Sequence, residues 1–398
     1  MTLDFALKVF WVLAALLAIQ SLAALRDGFR FLDFVRRRRA TPPSDIQPRV
    51  TVIIPCKGLD SGFEKNLEGL LTQNYSHYQL IFVVARQDDP AYAALDQILL
   101  GRPQATLLVA GEAEGRGEKV NNLLKALASV DPAVEVLVFA DIDARPAPDW
   151  LRSLVSPLDN SSVTVSTGFR WYLPGRGFAS RLRAAWDTSI AMMLGENRAN
   201  FAWGGSMAIR AEDFRRLQIA ERYWQGTVSD DYALARAVRD AGGRIAFEPR
   251  CLVASREESS FGELLNWTNR QIIITRVYAS HLWGLGLAAY TLYALTMLAG
   301  AVLIFTPGIA MHARIAIVAL LGVIQLLGIA KGWIRAVVAR EIFREPGTSC
   351  YWTLAPLVPW VMLYNFIVAA FVRRIEWRGT EYELVSSHEV RILRRNKA

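Results

Sequence analysis

Two pairs of carboxylates carry the chemistry that the residue types of this chain suggest. Asp141 and Asp143 are one residue apart, where the apolar run 134–140 breaks into a loop. Carboxylates so placed at a strand end offer the hard oxygen ligands that hold Mg²⁺ or Mn²⁺ against a diphosphate, although the same triplet is common in solvated turns. Asp230 and Asp231 stand side by side before the amphipathic stretch 233–241. A carboxylate there caps a helix or, with a like charge beside it raising its pKa, acts as a general base. Lys119 opens a helical pattern over 119–127 and is a point charge suited to phosphate. Asp88 and Asp89 precede Pro90 at the end of another apolar run, where they serve as ligand contacts or as a turn cap. Gly204-Gly205-Ser206 would let the backbone approach a ligand closely, or simply turn the chain into the strand 207–209.

The elements around these residues alternate. Short β-branched or apolar runs at 50–54, 79–85, 105–109 and 134–140 read as strands, and 64–72 and 119–127 as helices. That order predicts a parallel α/β sheet, in which ligands bind beyond the carboxyl ends of the strands. Polar residues 57–60, Asp88-Asp89 and Asp141 with Asp143 all fall at such ends. Several carboxylates at one edge suggest a nucleotide-sugar site.

Composition adds a membrane. The chain has 398 residues, 53% of them hydrophobic. The stretch 5–25 is apolar apart from Lys8, and about 20 such residues cross a bilayer. Arg26, Arg30 and Arg36 to Arg39 follow it, which predicts a retained anchor with its N-terminus outside and the next segment cytosolic. Further apolar stretches lie at 282–305, 315–330 and 352–372, with 331–351 expected to lie in the interface. Four full crossings would return the C-terminus to the outside, whereas Arg373, Arg374, Arg378, Arg391, Arg394 and Arg395 argue for the cytosol. A re-entrant segment at 356–359 or a missed crossing resolves this equally well. The net charge of +8 sits beside these segments and suits anionic headgroups better than nucleic acid, for which no recognition module is seen. Cys56, Cys251 and Cys350 lack metal spacing and suit free thiols. The expected organisation is an anchor at 1–28, a basic linker at 29–49, a catalytic domain at 50–280, transmembrane and interfacial helices at 281–376 and a basic tail at 377–398.

The order of motifs resembles that of family 2 inverting glycosyltransferases with a GT-A fold, and more closely the ceramide glucosyltransferases and their bacterial relatives. The residues that carry the likeness are 55–60 (Pro-Cys-Lys-Gly-Leu-Asp), 66–68, Asp88 to Ala91, 119–123 (Lys-Val-Asn-Asn-Leu), Asp141, 204–207 and Ser229 to Tyr232. The resemblance implies a Rossmann-like GT-A domain with transmembrane helices at both ends. It implies a UDP-sugar donor, a divalent Mg²⁺ or Mn²⁺ held by Asp141 with Asp143, and a membrane lipid acceptor. Asp88 and Asp89 match the uracil contact, Lys119 and Asn122 a segment near the diphosphate, Gly205 the sugar side and Asp231 the catalytic base. The family carries Gln/Arg-x-x-Arg-Trp after the base. Here 263–267 is Glu-Leu-Leu-Asn-Trp, so Trp267 remains without its basic partners, and Arg270 with Gln271 stands as the substitute diphosphate contact. The expected activity is transfer of a hexose such as glucose to a lipid hydroxyl such as ceramide, in a multi-pass inner (plasma) membrane protein with its catalytic domain in the cytosol. A polyprenyl-phosphate sugar synthase, a hopanoid or diacylglycerol glycosyltransferase and a non-catalytic nucleotide-binding scaffold are the alternatives.

Overall fold

In the computed structural model, residues 3–60, 62–143 and 145–395 are described. The chain divides into two compact units, and neither is continuous in sequence. One gathers the chain up to Asp33, Tyr172–Met193 and Arg256–Val372; the other gathers Phe34–Trp171, Leu194–Ser255 and the chain from Arg373 on.

The second unit is built on a seven-stranded sheet. Strands β1 (Val50–Cys56), β2 (Tyr78–Val84), β3 (Ala105–Val109) and β4 (Val136–Ala140) are those expected from the apolar runs, and β5 (Val165–Tyr172), β6 (Ser206–Arg210) and β7 (Ile245–Ser255) complete it in the order β3-β2-β1-β4-β6-β5-β7. The first four strands are parallel, with β1 between β2 and β4. The sheet as a whole is mixed, because β6 runs antiparallel to both β4 and β5. Strand β4 is buried along its whole length, so Val-Leu-Val-Phe-Ala shows no polar alternation. Alternate residues of β1 feed opposite cores. Val52 and Ile54 pack with Leu67 and Leu70 of the helix Phe63–Leu71, whereas Ile53 packs with Val120 and Leu123 of the helix Glu118–Leu127. Strand β1 also runs past Pro55 to Cys56, two residues beyond its expected end.

The segment expected as a basic tail is folded. β8 (Arg374–Trp377), β9 (Thr380–Ser386) and β10 (Glu389–Arg395) form an antiparallel three-stranded sheet within the same unit.

Among the described residues three helices are long and apolar enough to cross a membrane: Leu3–Ala40, which belongs to the helical unit as far as Asp33, and Ser280–Phe305 and Met311–Phe343 within that unit. The first continues through the arginines at 36–39, so the basic linker is helical to Ala40. The separate interfacial helix expected from Lys331 is instead the continuation of Met311–Phe343, since nothing between Ala330 and Lys331 breaks the helical pattern. The stretch 352–372 breaks at its prolines into the short helices Cys350–Thr353 and Val358–Phe371. The three cysteines are free and buried.

Candidate active site

The carboxyl end of β4 delivers Asp141 and Asp143 beside a cluster of charges that closes around Lys119. The Lys119 Nζ lies 2.9 Å from Asp141 Oδ1 and 3.2 Å from Asp230 Oδ1, and it donates to the Gly204 carbonyl at 3.2 Å. Lys119 reaches this point because Glu118–Leu127 begins directly behind the sheet edge, with Val120, Leu123 and Ala126 locking the helix into the core. Burial alone would push the ammonium of Lys119 down, but Asp141, Asp230 and Asp231 overcome it and hold the group above the ordinary lysine range.

Arg170, from β5, supplies the other cation. Its guanidinium pairs with Asp143 and lies 3.4 Å from Asp141 Oδ2, and it stacks 5.2 Å from the Trp203 ring centroid. Burial works against the charge on Asp141, yet Lys119 and Arg170 outweigh it and keep that carboxyl below the usual range. In Asp143 burial prevails over Arg170, and the Asp141 charge adds to the rise. Asp230 is 2% exposed, and among the described residues its Oδ2 has no hydrogen-bond partner. Burial pushes its carboxyl up to about 7, against Lys119 and with the Asp231 charge.

Asp231 sits at the start of the helix Asp230–Asp240. One of its oxygens accepts from Gly204 N at 3.2 Å; the other accepts from Tyr232 N at 2.7 Å and from the Ser229 hydroxyl. Three donors thus fix the orientation of this carboxylate. A side chain on Gly204 would meet the Asp230 carboxylate and Lys119, and one on Gly205 would meet the Trp203 ring and Asp141. The two glycines let this loop pass against the charge cluster itself, which accounts for them without a bound sugar.

Asn122, 2% exposed, donates to the Val83 carbonyl at 3.4 Å and leaves its Oδ1 unpartnered. It lines a cavity together with Lys119, Asp141 and Asp143. Asp89 sits nearby, where its Oδ1 accepts from Gly58 N at 2.8 Å and from Ala91 N at 2.9 Å. It caps the helix Pro90–Ile98 and ties it to the loop after β1. Asp88 is exposed and pairs with Arg86.

Trp267 and Arg270 belong to the other unit, on the helix Phe261–Tyr278. There the Arg183 guanidinium is held between the rings of Trp267 and Tyr172, 4.4 Å and 4.3 Å from their centroids, and pairs with Glu257 at 2.9 Å. Glu263, aligned with a basic residue of the resembled motif, forms a reciprocal capping box with Ser260. Its side chain is committed to starting that helix.

Lys57, at the polar strand end expected at 57–60, lines the cavity too, and residues not expected from the sequence join it. Lys57 pairs with Glu118 at 2.9 Å, and Trp377, Arg378 and Tyr382 enter from the C-terminal sheet. Among the described residues no group of three or more His, Cys, Asp or Glu is arranged to hold a metal ion. Asp141 and Asp143 nevertheless converge on one guanidinium, so their oxygens face a common point. Two carboxylates, with diphosphate and water oxygens for the remaining positions, suit a divalent cation of the Mg²⁺ type.

The mixed α/β sheet, with a lysine-bridged carboxylate cluster beyond the end of β4, is of the GT-A type. The chain belongs to glycosyl transferase family 21, whose model matches residues 10–390. It is 28% identical over 138 residues to ceramide glucosyltransferase 1 of Caenorhabditis elegans, which is 34% of this chain and 30% of that protein. It is 32% identical over 84 residues to ceramide glucosyltransferase 3 of the same organism, 21% of this chain and 18% of that one. These matches span less than a third of the curated relatives. Among solved structures, it is similar to a mannosyltransferase from Pyrobaculum calidifontis, solved with GDP-Man and Mn²⁺, at 18% identity and a TM-score of 0.48 over 91% of this chain and 97% of that one. Glucosyl-3-phosphoglycerate synthase from Mycobacterium tuberculosis is similar at 17% identity and a TM-score of 0.40, over 63% and 83%.

Proposed function

We propose that this chain is an inverting hexosyltransferase of the membrane, moving glucose from UDP-glucose to a lipid hydroxyl such as that of ceramide at the cytosolic face. The observation that carries the reading is the convergence of Lys119, Asp141, Asp230 and Asp231 on one point beyond the strand ends, in a chain of family 21. Lys119 faces the diphosphate, and Asn122, with its free oxygen, faces the donor in the same cavity. Asp231 takes the proton of the acceptor hydroxyl as that oxygen attacks C1 from the side opposite UDP, so the configuration inverts and UDP leaves. A single base suffices, and no covalent intermediate on the protein is involved. Asp141 and Asp143 are the residues that would hold Mg²⁺ or Mn²⁺, and the ion would supply positive charge to the diphosphate leaving group. Asp89 is tied into a helix cap, and its contribution to uracil recognition is through the loop it fixes. Long apolar helices and the ceramide glucosyltransferase relatives support a lipid acceptor and a multi-pass inner (plasma) membrane protein.

The test is UDP release by the purified full chain in detergent, with Mn²⁺, UDP-glucose and a total lipid extract, beside Asp231→Asn. The expected result is lipid-dependent release that the variant loses by at least about a hundredfold, within the range of general-base contributions, while it binds UDP as the parent does. Full turnover by Asp231→Asn would overturn the assignment of the base, and release without lipid that of the acceptor.

A further inference from the structure

The basic residues absent from 263 and 266 raise the question of which cation besides Lys119 meets the diphosphate. The turn between β8 and β9 presents one. Arg378 and Gly379 are both left-handed there, with φ of 45° and 75°, the geometry of a tight hairpin turn that normally selects Asn, Asp or Gly. Arginine is a poor choice for the backbone at that position, so its side chain is what the position is for. Its guanidinium donates to the Lys57 carbonyl at 2.8 Å and to both Asp60 oxygens, at 3.2 and 2.6 Å, and lies 3.7 Å from Asp143 Oδ2. The side chain keeps 35% exposure and lines the same cavity as Lys119, Asp141 and Asn122. The C-terminal sheet does not depend on Arg378 for its place. Tyr382 accepts from Glu118 N at 3.2 Å, Arg395 pairs with Glu112 and the Ala113 carbonyl, and the His388 carbonyl packs directly on Gly226.

From this we infer that the C-terminal hairpin is a wall of the donor pocket and that Arg378 is a ligand for the nucleoside diphosphate, gripping its phosphate oxygens with the planar fork that a lysine lacks. The inference rests on the reading of the cavity as a nucleotide-sugar site. Two carboxylates, Asp60 and Asp143, hold the guanidinium at the cavity edge, and an entering diphosphate offers it a stronger, bidentate partner.

The experiment measures UDP and uridine binding to the full chain in detergent by titration calorimetry, for the parent, Arg378→Gln, Arg378→Lys and Arg395→Gln, with GDP as a second nucleotide for the parent. Arg378→Gln is expected to weaken UDP about tenfold or more, the scale of a charge-assisted bidentate contact, and to leave uridine unchanged. Arg378→Lys should fall between, and Arg395→Gln, which removes the pair with Glu112 and leaves the Arg378 side chain intact, should bind UDP like the parent. If Arg378→Gln does not fold, Arg378→Lys decides, since unchanged UDP affinity in it would overturn the inference. UDP binding unaltered in Arg378→Gln overturns it while leaving the proposed function standing. Equal loss of UDP and uridine in Arg378→Gln and Arg395→Gln also overturns it, because the hairpin would then act only as a prop. A parent chain that binds neither UDP nor GDP overturns the inference and the nucleotide-donor reading together.

Discussion

At the scale of single residues, the site is a balance between burial and charge. Lys119 joins Asp141 and Asp230, and the three cannot be altered independently. Asp230 bears most of the desolvation, since one of its oxygens finds no partner and its pKa rises from 3.8 to about 7. The sign of the consequence is fixed. The folded protein holds this proton between about pH 4 and 7, where the unfolded chain has released it, so the contribution of Asp230 is fully present below its unfolded pKa and is lost as the pH rises through 7. A rise of that size corresponds to roughly 4 kcal/mol at most. Asp230→Asn removes the dependence. Melting curves of the purified chain and this variant should therefore converge toward pH 4 to 5 and separate toward pH 8, with the variant gaining relative stability at the higher pH. Parallel curves over that range would show that Asp230 does not titrate there.

At the scale of elements, the positions of the candidate site residues follow from where strands and helices begin and end. Asp141, Asp143, Lys119 and Asp231 were legible because each follows an apolar run or starts an amphipathic one, and such boundaries survive in a linear reading. Arg170 and Arg378 were not. They come from β5 and from the β8–β9 turn, and only the pairing of β6 between β4 and β5, and the docking of the C-terminal sheet, carry them to the strand ends. A local signal for the hairpin did exist. Ile375 and Trp377 before Arg-Gly, and Tyr382 and Leu384 after it, alternate as a hairpin does, but the run of arginines reads first as a charged tail. Glu263 shows the same limit in reverse. Set against a catalytic motif it is a missing cation, whereas in the helix Phe261–Tyr278 it is the third residue of a capping box. Glu263→Ala should then lower the melting temperature by a few degrees, for a loss of about 1 kcal/mol, and leave UDP affinity unchanged. A drop in UDP affinity without a drop in stability would give Glu263 a donor role after all.

At the scale of the whole molecule, the division of the chain bears on a count that charge and hydropathy left in conflict. Residues 34–171, 194–255 and 373 onward share one compact unit, so a membrane threaded by this chain must have all of them on one side. The chain between 255 and 373 must then cross an even number of times. Ser280–Phe305 and Met311–Phe343 supply two crossings, and Val358–Phe371, with 14 residues, is shorter than the roughly 20 a bilayer requires. Met311–Phe343 reaches about 50 Å at 1.5 Å per residue, so its end, with Lys331, Arg335 and Arg340, extends past the apolar core on the basic side. We propose that with the N-terminal helix the total is three, an arrangement that would put the arginines at 36–39 and those after 373 together on the cytosolic side, as the positive-inside rule asks. The turn at 306–310 carries no charge and in this arrangement would lie outside. Because the three native cysteines are buried, single introduced cysteines report the arrangement against a low background. A membrane-impermeant maleimide added to intact cells should label Ala310→Cys, and should label Glu389→Cys only after lysis. Labelling of Glu389→Cys in intact cells would place the C-terminal sheet outside, away from cytosolic UDP-sugars, and with it would fall the three-crossing arrangement and the cytosolic site.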